Sequence, residues 1–447
     1  MTAPGTRTGA KAEDSDDLDV EEALALVREP KDDGDAPGPA PAAPGERHRA
    51  TPWPRAREIA ARAARSGSRR APVCVPLADA LGLVLAGPLD ALTDLPSFDT
   101  SAMDGWAVAG PGPWEVRDEG VLAGHDQPEP LTDGQAVRIA TGARIPADTT
   151  AVLRSEHGRT DAQGRLHATR EVSHGQDIRP RGQECRNGDH LLPAGTLVTP
   201  AVLGLAAAAG YDTVTAFARP RAEVLVLGDE LLSGGLPHDG LIRDALGPML
   251  PPWLRAMGAE VTSVRRLGDD ARALRKALTA SDADLVLTTG GTASGPVDHV
   301  HPTLERLGAE LLVDGVKVRP GHPMLLARTK EDQHLVGLPG NPLAAVSGLL
   351  TLAEPLLRTL AARPAPEPYS LPLREAVQGH PYDTRLIPAV LRGDSAVPLH
   401  YNGPAMLRGI AAADALAVVP PGGARQGEEA ELLDLPWAAA GIGVCFT

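Results

Sequence analysis

Three glycine-bearing loops, each directly after a short apolar run, gather the residue types of this chain that suit an anionic ligand. Leu285-Val286-Leu287 leads through Thr288-Thr289 into Gly290-Gly291-Thr292-Ala293-Ser294-Gly295-Pro296-Val297-Asp298. Val224-Leu225-Val226-Leu227 leads into Gly228-Asp229-Glu230-Leu231, and His334-Leu335-Val336-Gly337 into Leu338-Pro339-Gly340-Asn341-Pro342. Glycine lets a backbone turn sharply and come close to a ligand. A strand, a glycine loop and a helix start leave backbone N–H groups pointing outward, where an anion can take them. The first two loops also carry carboxylates, Asp229 with Glu230 and then Asp298, while prolines stiffen the third. No Gly-Lys-Ser/Thr follows Gly290, and Gly-x-Gly-x-x-Gly is absent there, so neither common nucleotide signature applies. Taken alone, the Gly290 loop is equally an ordinary turn between strand and helix.

The elements around these loops would make them converge. Residues 219–362 alternate between apolar strands, expected at 223–227, 260–264, 284–288, 310–313 and 334–337, and helices, expected at 246–257, 270–280, 299–307 and 342–361. That alternation predicts an α/β unit with a largely parallel sheet, in which ligands bind beyond the carboxyl ends of the strands. Around it the pattern changes. Residues 112–199 and the stretch after 366 read as short strands between Gly and Pro turns. Helices are expected at Trp53–Ser66 and Pro200–Gly210, the latter stopped by its glycine. Residues 1–50 carry 6 Lys and Arg against 12 Asp and Glu, with scattered Pro and Ala, the composition of a disordered acidic tail.

Composition narrows the function. A chain of 447 residues with a net charge of −15 and no basic patch is a poor match for nucleic acid. Cys74, Cys185 and Cys445 are far apart, without metal-type spacing, which suits a reducing cytoplasm. No apolar run of membrane-span length and no signal-peptide core stand out, so no membrane partner is expected.

Together with Ser101-Ala102-Met103-Asp104-Gly105-Trp106-Ala107-Val108, the three loops resemble the molybdopterin molybdenumtransferase family, which includes the bacterial MoeA proteins and the E domain of gephyrin. The resemblance runs from about residue 52 to 447, and Ser-Ala-Met-Asp-Gly combined with Leu-Pro-Gly-Asn-Pro is specific where either alone is weak. It implies an α/β plus β multidomain fold: an elongated N-terminal domain from 51–95 and 180–218, a small β domain at 96–179, an α/β molybdopterin-binding domain at 219–365 and a C-terminal β domain at 366–447. It implies insertion of molybdate into adenylylated molybdopterin with release of AMP, and a homodimer whose site spans two subunits. By the same resemblance Asp104, Glu230, Asp269 and Asp298 are catalytic. Thr141, Arg179, Gly290, Gly291, Ser294, Arg319, Pro339, Gly340 and Asn341 bind the pterin substrate. Asp229, Glu230, Asp244 and Asp298 hold Mg²⁺, a hard cation that prefers oxygen ligands.

Several positions depart from the family pattern. Arg319 and His322 stand where lysines are usual, Glu184 where Asp is, Ala293 and Pro404 where Ser is, and Ala245-Leu246 follow Asp244 in place of Ser/Thr-Asn. Arg319 keeps a charge and can grip an oxyanion bidentately; a histidine carries only part of one near neutral pH. Two functions accordingly stand open on sequence: an active transferase, in contact with other cofactor-synthesis proteins, or a non-catalytic molybdopterin-binding scaffold. The adenylyltransferase of the same pathway lacks the flanking β domains, and the element at 101–108 argues against it.

Overall fold

The computed structural model describes residues 50–64, 71–124, 128–292 and 299–436. The acidic tail, Ser294 and Asp298 lie outside the described residues.

The central sheet has six strands in the order Glu260–Leu267, Arg221–Leu227, Leu285–Thr289, Gln333–Leu338, Leu325–Lys330, Glu310–Asp314. The first four run parallel, in registers that set Val224 beside Leu287 and Leu287 beside Val336. The last two are antiparallel, so the sheet is less parallel than the sequence implies. The reason is local. Only Glu331 and Asp332 separate Leu325–Lys330 from Gln333–Leu338, and a two-residue link closes a hairpin but cannot make a parallel crossover.

The middle strands alternate between two apolar layers, as their unbroken runs of Leu and Val require. Leu225, Val286 and Leu335 pack with the helices Ala271–Ala280 and Val300–Arg306. Val224, Leu287 and Val336 pack with the helices Leu246–Ala256 and Pro342–Leu360. The latter is α-helical at Pro342–Gly348 and Glu354–Leu360, with a π turn at Leu349–Ala353 between them. Its 19 residues are long and apolar enough for a membrane span, which the sequence reading did not anticipate, but 78% of its apolar window is buried in the protein. Trp53–Ala63 is a helix that lies against it: Ala56 and Ala60 are fully buried, and the Trp53 indole N–H donates to Thr351 Oγ1 at 3.0 Å.

A second sheet runs Thr51–Pro52, Val316–Arg319, Thr384–Arg392, Ala415–Val419, Glu429–Asp434, Ser370–Pro372, with Ser395–Pro398 beside Thr384–Arg392. The strand Val316–Arg319 was not foreseen, because it is four residues long and pairs with a strand more than sixty positions away. It sets Val318 beside Thr384 and Arg319 beside Arg385. The small β region is a six-stranded sheet, Gly158–Thr160, Arg165–Ala168, Trp114–Val121, Gln135–Ile139, Gly105–Val108, Ala151–Arg154. Gly105 is required there, since a Cβ would lie 2.0 Å from the Leu153 carbonyl oxygen. Two arginines tie the three-stranded unit Val73–Pro76, Thr213–Phe217, Val84–Leu85 to the α/β unit: Arg219 donates to the Leu81 carbonyl at 2.6 Å and Arg363 to the Gly82 carbonyl at 2.9 Å.

Truncating Trp53 removes a buried indole and orphans the Thr351 hydroxyl beneath it. We expect Trp53→Ala to cost about 3–5 kcal/mol of stability, read as a lowered denaturation midpoint; an unchanged midpoint would show that the helix Trp53–Ala63 is not integral to the core.

Candidate functional site

Three of the parallel strands, Arg221–Leu227, Leu285–Thr289 and Gln333–Leu338, lead from their carboxyl ends to a cavity of about 470 Å³, lined among others by Glu230, Arg243, Asp244, Gly290, Gly340 and Asn341. The three glycine loops of the sequence therefore do converge. Strand pairing brings them together: the Gly290 N–H donates to the Leu338 carbonyl at 2.9 Å, and a Cβ on Gly340 would sit 3.7 Å from the Gly290 Cα. Gly290 and Gly291 adopt φ of 80° and 65°, the left-handed region where side chains are strained.

The far wall comes from a short parallel pairing of Leu231–Leu232 with Ile242–Arg243. The Ile242 N–H donates to the Glu230 carbonyl at 2.8 Å, so Glu230 and Arg243 are fixed to the same wall. Both side chains are exposed toward the cavity mouth. Asp244 is different. It is buried, takes an ion pair from Arg266 and accepts the Gly247 N–H at 2.8 Å, so it starts the helix Leu246–Ala256. A Cβ on Gly247 would lie 2.2 Å from the Asp244 carboxylate. Its charge is thus met by an arginine that the sequence reading did not single out, one at an exposed position of a strand with alternating burial.

Asp229 turns away toward Gly268, where a Cβ would lie 2.5 Å from its Oδ1. Asp269 is exposed beside it, and Asp270, not Asp269, caps the helix Ala271–Ala280 by accepting the Arg272 N–H at 2.7 Å. Among the described residues no group of three His, Cys, Asp or Glu side chains could hold a metal ion. What they present is an open arrangement: Glu230 on the cavity wall, Asp229 adjacent in sequence, Asp244 already neutralised. Such a set suits Mg²⁺, which usually keeps its waters and takes one or two carboxylates plus substrate phosphate oxygens.

Pro339 is buried between Leu338 and Gly340, and Asn341 precedes the helix that starts at Pro342. The first amides of that helix are not open to a ligand, because Leu343 and Ala344 donate to the Pro404 carbonyl at 2.9 and 3.2 Å. The C-terminal unit thus docks on the third loop and contributes Ala405 to the cavity.

Arg319 ends its strand exposed and donates to Asp383 at 2.9 Å. Asp383 is buried and also lies 3.4 Å from His380. Arg385, beside Arg319 in register, donates to Asn402 Oδ1 at 3.2 Å. Two guanidiniums thus stand on neighbouring strands, and Arg385 was missed because nothing local marks it. His322 Nδ1 is 2.8 Å from the Val316 carbonyl, which can only accept, so that nitrogen carries a proton and Nε2 remains to face a ligand.

The small β region holds the other residues. Asp104 is exposed and accepts both the Thr141 N–H at 2.6 Å and the Thr141 hydroxyl at 2.9 Å. These two bonds, the backbone one first, hold its carboxyl below the usual carboxylate range. Arg179 is exposed, in register with Thr100 on the adjoining strand. Neither Asp104, Thr141 nor Arg179 lines the strand-end cavity; among the described residues its lining comes from residues 227–342 and Ala405.

The comparisons with known proteins agree in extent and order. Residues 51–210 match the family profile "MoeA N-terminal region (domain I and II)", 223–359 "Probable molybdopterin binding domain" and 370–435 "MoeA C-terminal region (domain IV)". A Mycobacterium tuberculosis protein named molybdopterin molybdenumtransferase 2 is 34% identical over 372 residues, 78% of this chain and 91% of that one. A molybdopterin molybdenumtransferase from Synechococcus elongatus is 33% identical over 321 residues, 68% of this chain and 79% of that one. Two crystal structures of the Pyrococcus horikoshii molybdopterin biosynthesis MoeA protein superpose with TM-scores of 0.68 and 0.67, at 26% and 22% identity. They cover 87% and 86% of this chain and 99% and 100% of those.

The bonds from Thr141 favour the charged form of Asp104, so they stabilise the folded chain above the carboxyl's unfolded pKa, and that contribution fades as pH falls through the folded value. Thr141→Ala keeps the backbone bond and removes the hydroxyl one. The Asp104 carboxyl should then titrate closer to an ordinary aspartate, about 3.9, in a carbon-detected NMR titration; an unmoved midpoint would show that the hydroxyl contributes nothing.

Proposed function

The chain belongs to the molybdopterin molybdenumtransferase family, a transferase family of molybdenum cofactor biosynthesis, and from that premise we propose that it inserts molybdate into adenylylated molybdopterin with release of AMP. The observation that carries the proposal is the cavity at the carboxyl ends of the parallel strands, lined together by residues of three glycine loops, a carboxylate and an arginine. Gly290, Gly340 and Asn341 offer close backbone approach to the pterin phosphate. Arg319 and Arg385 supply positive charge to an oxyanion, with His322 Nε2 as a further polar contact. Glu230 would hold Mg²⁺, and Asp298, outside the described residues, belongs to the same proposed set, whereas Asp229 turns away toward Gly268. When bound, Mg²⁺ would spread the negative charge of the phosphoanhydride as AMP leaves. Asp244 keeps its ion pair with Arg266, so its part is to fix the helix start at the cavity rather than to offer free lone pairs.

We also propose a homodimer with a composite site. Asp104 is exposed, charged and held in place by Thr141, yet it lies outside the cavity of its own chain. A second copy that brings its own small β region over the cavity would complete the set, as twofold assembly allows. The described thiols, Cys74 and Cys185, are free, which supports a reducing, cytoplasmic setting.

Complementation tests this reading. Glu230→Gln should cut AMP release about a hundredfold or more, the scale of losing a main electrostatic stabiliser, with pterin binding retained, and Asp104→Asn should do the same. If the two residues meet across subunits, unfolding and refolding the two variants together yields heterodimers with one intact site, and about a quarter of wild-type activity returns. If activity stays at the level of the single variants, Asp104 and Glu230 do not act across a dimer.

A further inference from the structure

The small β region carries a second cavity, of about 540 Å³, at the end of the strand Gly105–Val108 away from Asp104. One wall is the loop Gly110–Trp114, whose exposed Pro111 and Pro113 present apolar surface over the buried indole. Gly112 packs on the indole so tightly that a Cβ there would come within 2.8 Å of the ring, and the Trp114 Nε1–H donates to the Gly110 carbonyl at 2.9 Å, which fixes the ring's orientation. The other wall carries three nitrogen bases, His167, Arg170 and His174, with Ser173 between them. Among the described residues no Asp or Glu lines this cavity, although the chain as a whole carries a net charge of −15.

The surroundings of the bases are specific. His167 Nε2 is 2.8 Å from Asp161 Oδ2, which leaves Nδ1 for a ligand. Arg170 and His174 are exposed and take no ion pair with Asp or Glu among the described residues, Glu171 next to Arg170 included. A concave site of several hundred Å³ with an apolar wall and a few convergent polar groups fits a small molecule rather than a protein surface. Bases concentrated opposite a flat apolar wall select an anion attached to a planar body.

We propose that this cavity is a second binding site, for a small phosphate ester with a flat body, of which a nucleoside monophosphate is the type. The phosphate meets Arg170 and His174, and the ring lies along the wall made by Pro111 and Pro113. The site is separate from the strand-end cavity and does not depend on the transferase reading.

The test uses the full-length chain, deuterated except for its histidines, with the ring signals of His167 and His174 assigned through His167→Gln and His174→Gln. AMP and inorganic phosphate are titrated in separate arms. The expected result is a saturable shift of both rings with AMP, weaker binding of inorganic phosphate, and affinity for AMP reduced about tenfold or more by Arg170→Ala, the scale of one charge-assisted hydrogen bond. AMP held only at the strand-end cavity would leave these two rings unmoved and would overturn the proposal. So would a shift that Arg170→Ala does not weaken, or inorganic phosphate binding as tightly as AMP.

Discussion

The strand Leu285–Thr289 is buried on both faces, and that constraint organises the molecule. Leu285, Val286 and Leu287 are fully buried, and parallel neighbours satisfy their backbone on each side. A strand so enclosed has no free face or edge for a ligand, which leaves its carboxyl end as the place where the chain can meet a substrate. The loop that follows this strand needs glycine because Gly290 and Gly291 both adopt positive φ. The helices that cover the strand, chiefly Pro342–Leu360, fix the third loop in turn, and the C-terminal unit reinforces it through the Pro404 carbonyl.

Charge around the cavity is arranged in pairs with different degrees of freedom. Asp244 is buried and therefore paired, since an uncompensated carboxylate there would be costly. Glu230 and Arg243 stay at the mouth, unburied and available. Arg319, which does not line the cavity, reaches buried Asp383 and stays partly exposed. At one position where this chain departs from its family, Arg319 has Arg385 as its register neighbour.

Much of this was legible in the sequence, for definable reasons. The strand runs at 224–227, 285–287 and 334–337 announce themselves because both faces are buried, and Gly290, Gly340 and Asn341 follow directly from them. Contacts between distant segments were not legible. Arg266 against Asp244, Arg385 against Arg319, and the strand Val316–Arg319 in the second sheet depend on pairings that local pattern does not encode. The hairpin that brings an antiparallel pairing into the central sheet could have been read from the two-residue link at Glu331-Asp332. The resemblance had already assigned Asp104 to a β domain apart from the glycine loops, and it does not line their cavity.

The central claim is that the strand-end cavity works on adenylylated molybdopterin. It is tested most directly by incubating the wild-type chain with adenylylated molybdopterin, Mg²⁺ and molybdate, and measuring AMP release together with active cofactor. The account predicts equimolar AMP and active cofactor, no active cofactor when molybdate is omitted, and both products cut about a hundredfold or more when Glu230 is replaced by Gln. Tight binding of the pterin with no AMP released under any condition would contradict it and leave a scaffold in place of a transferase.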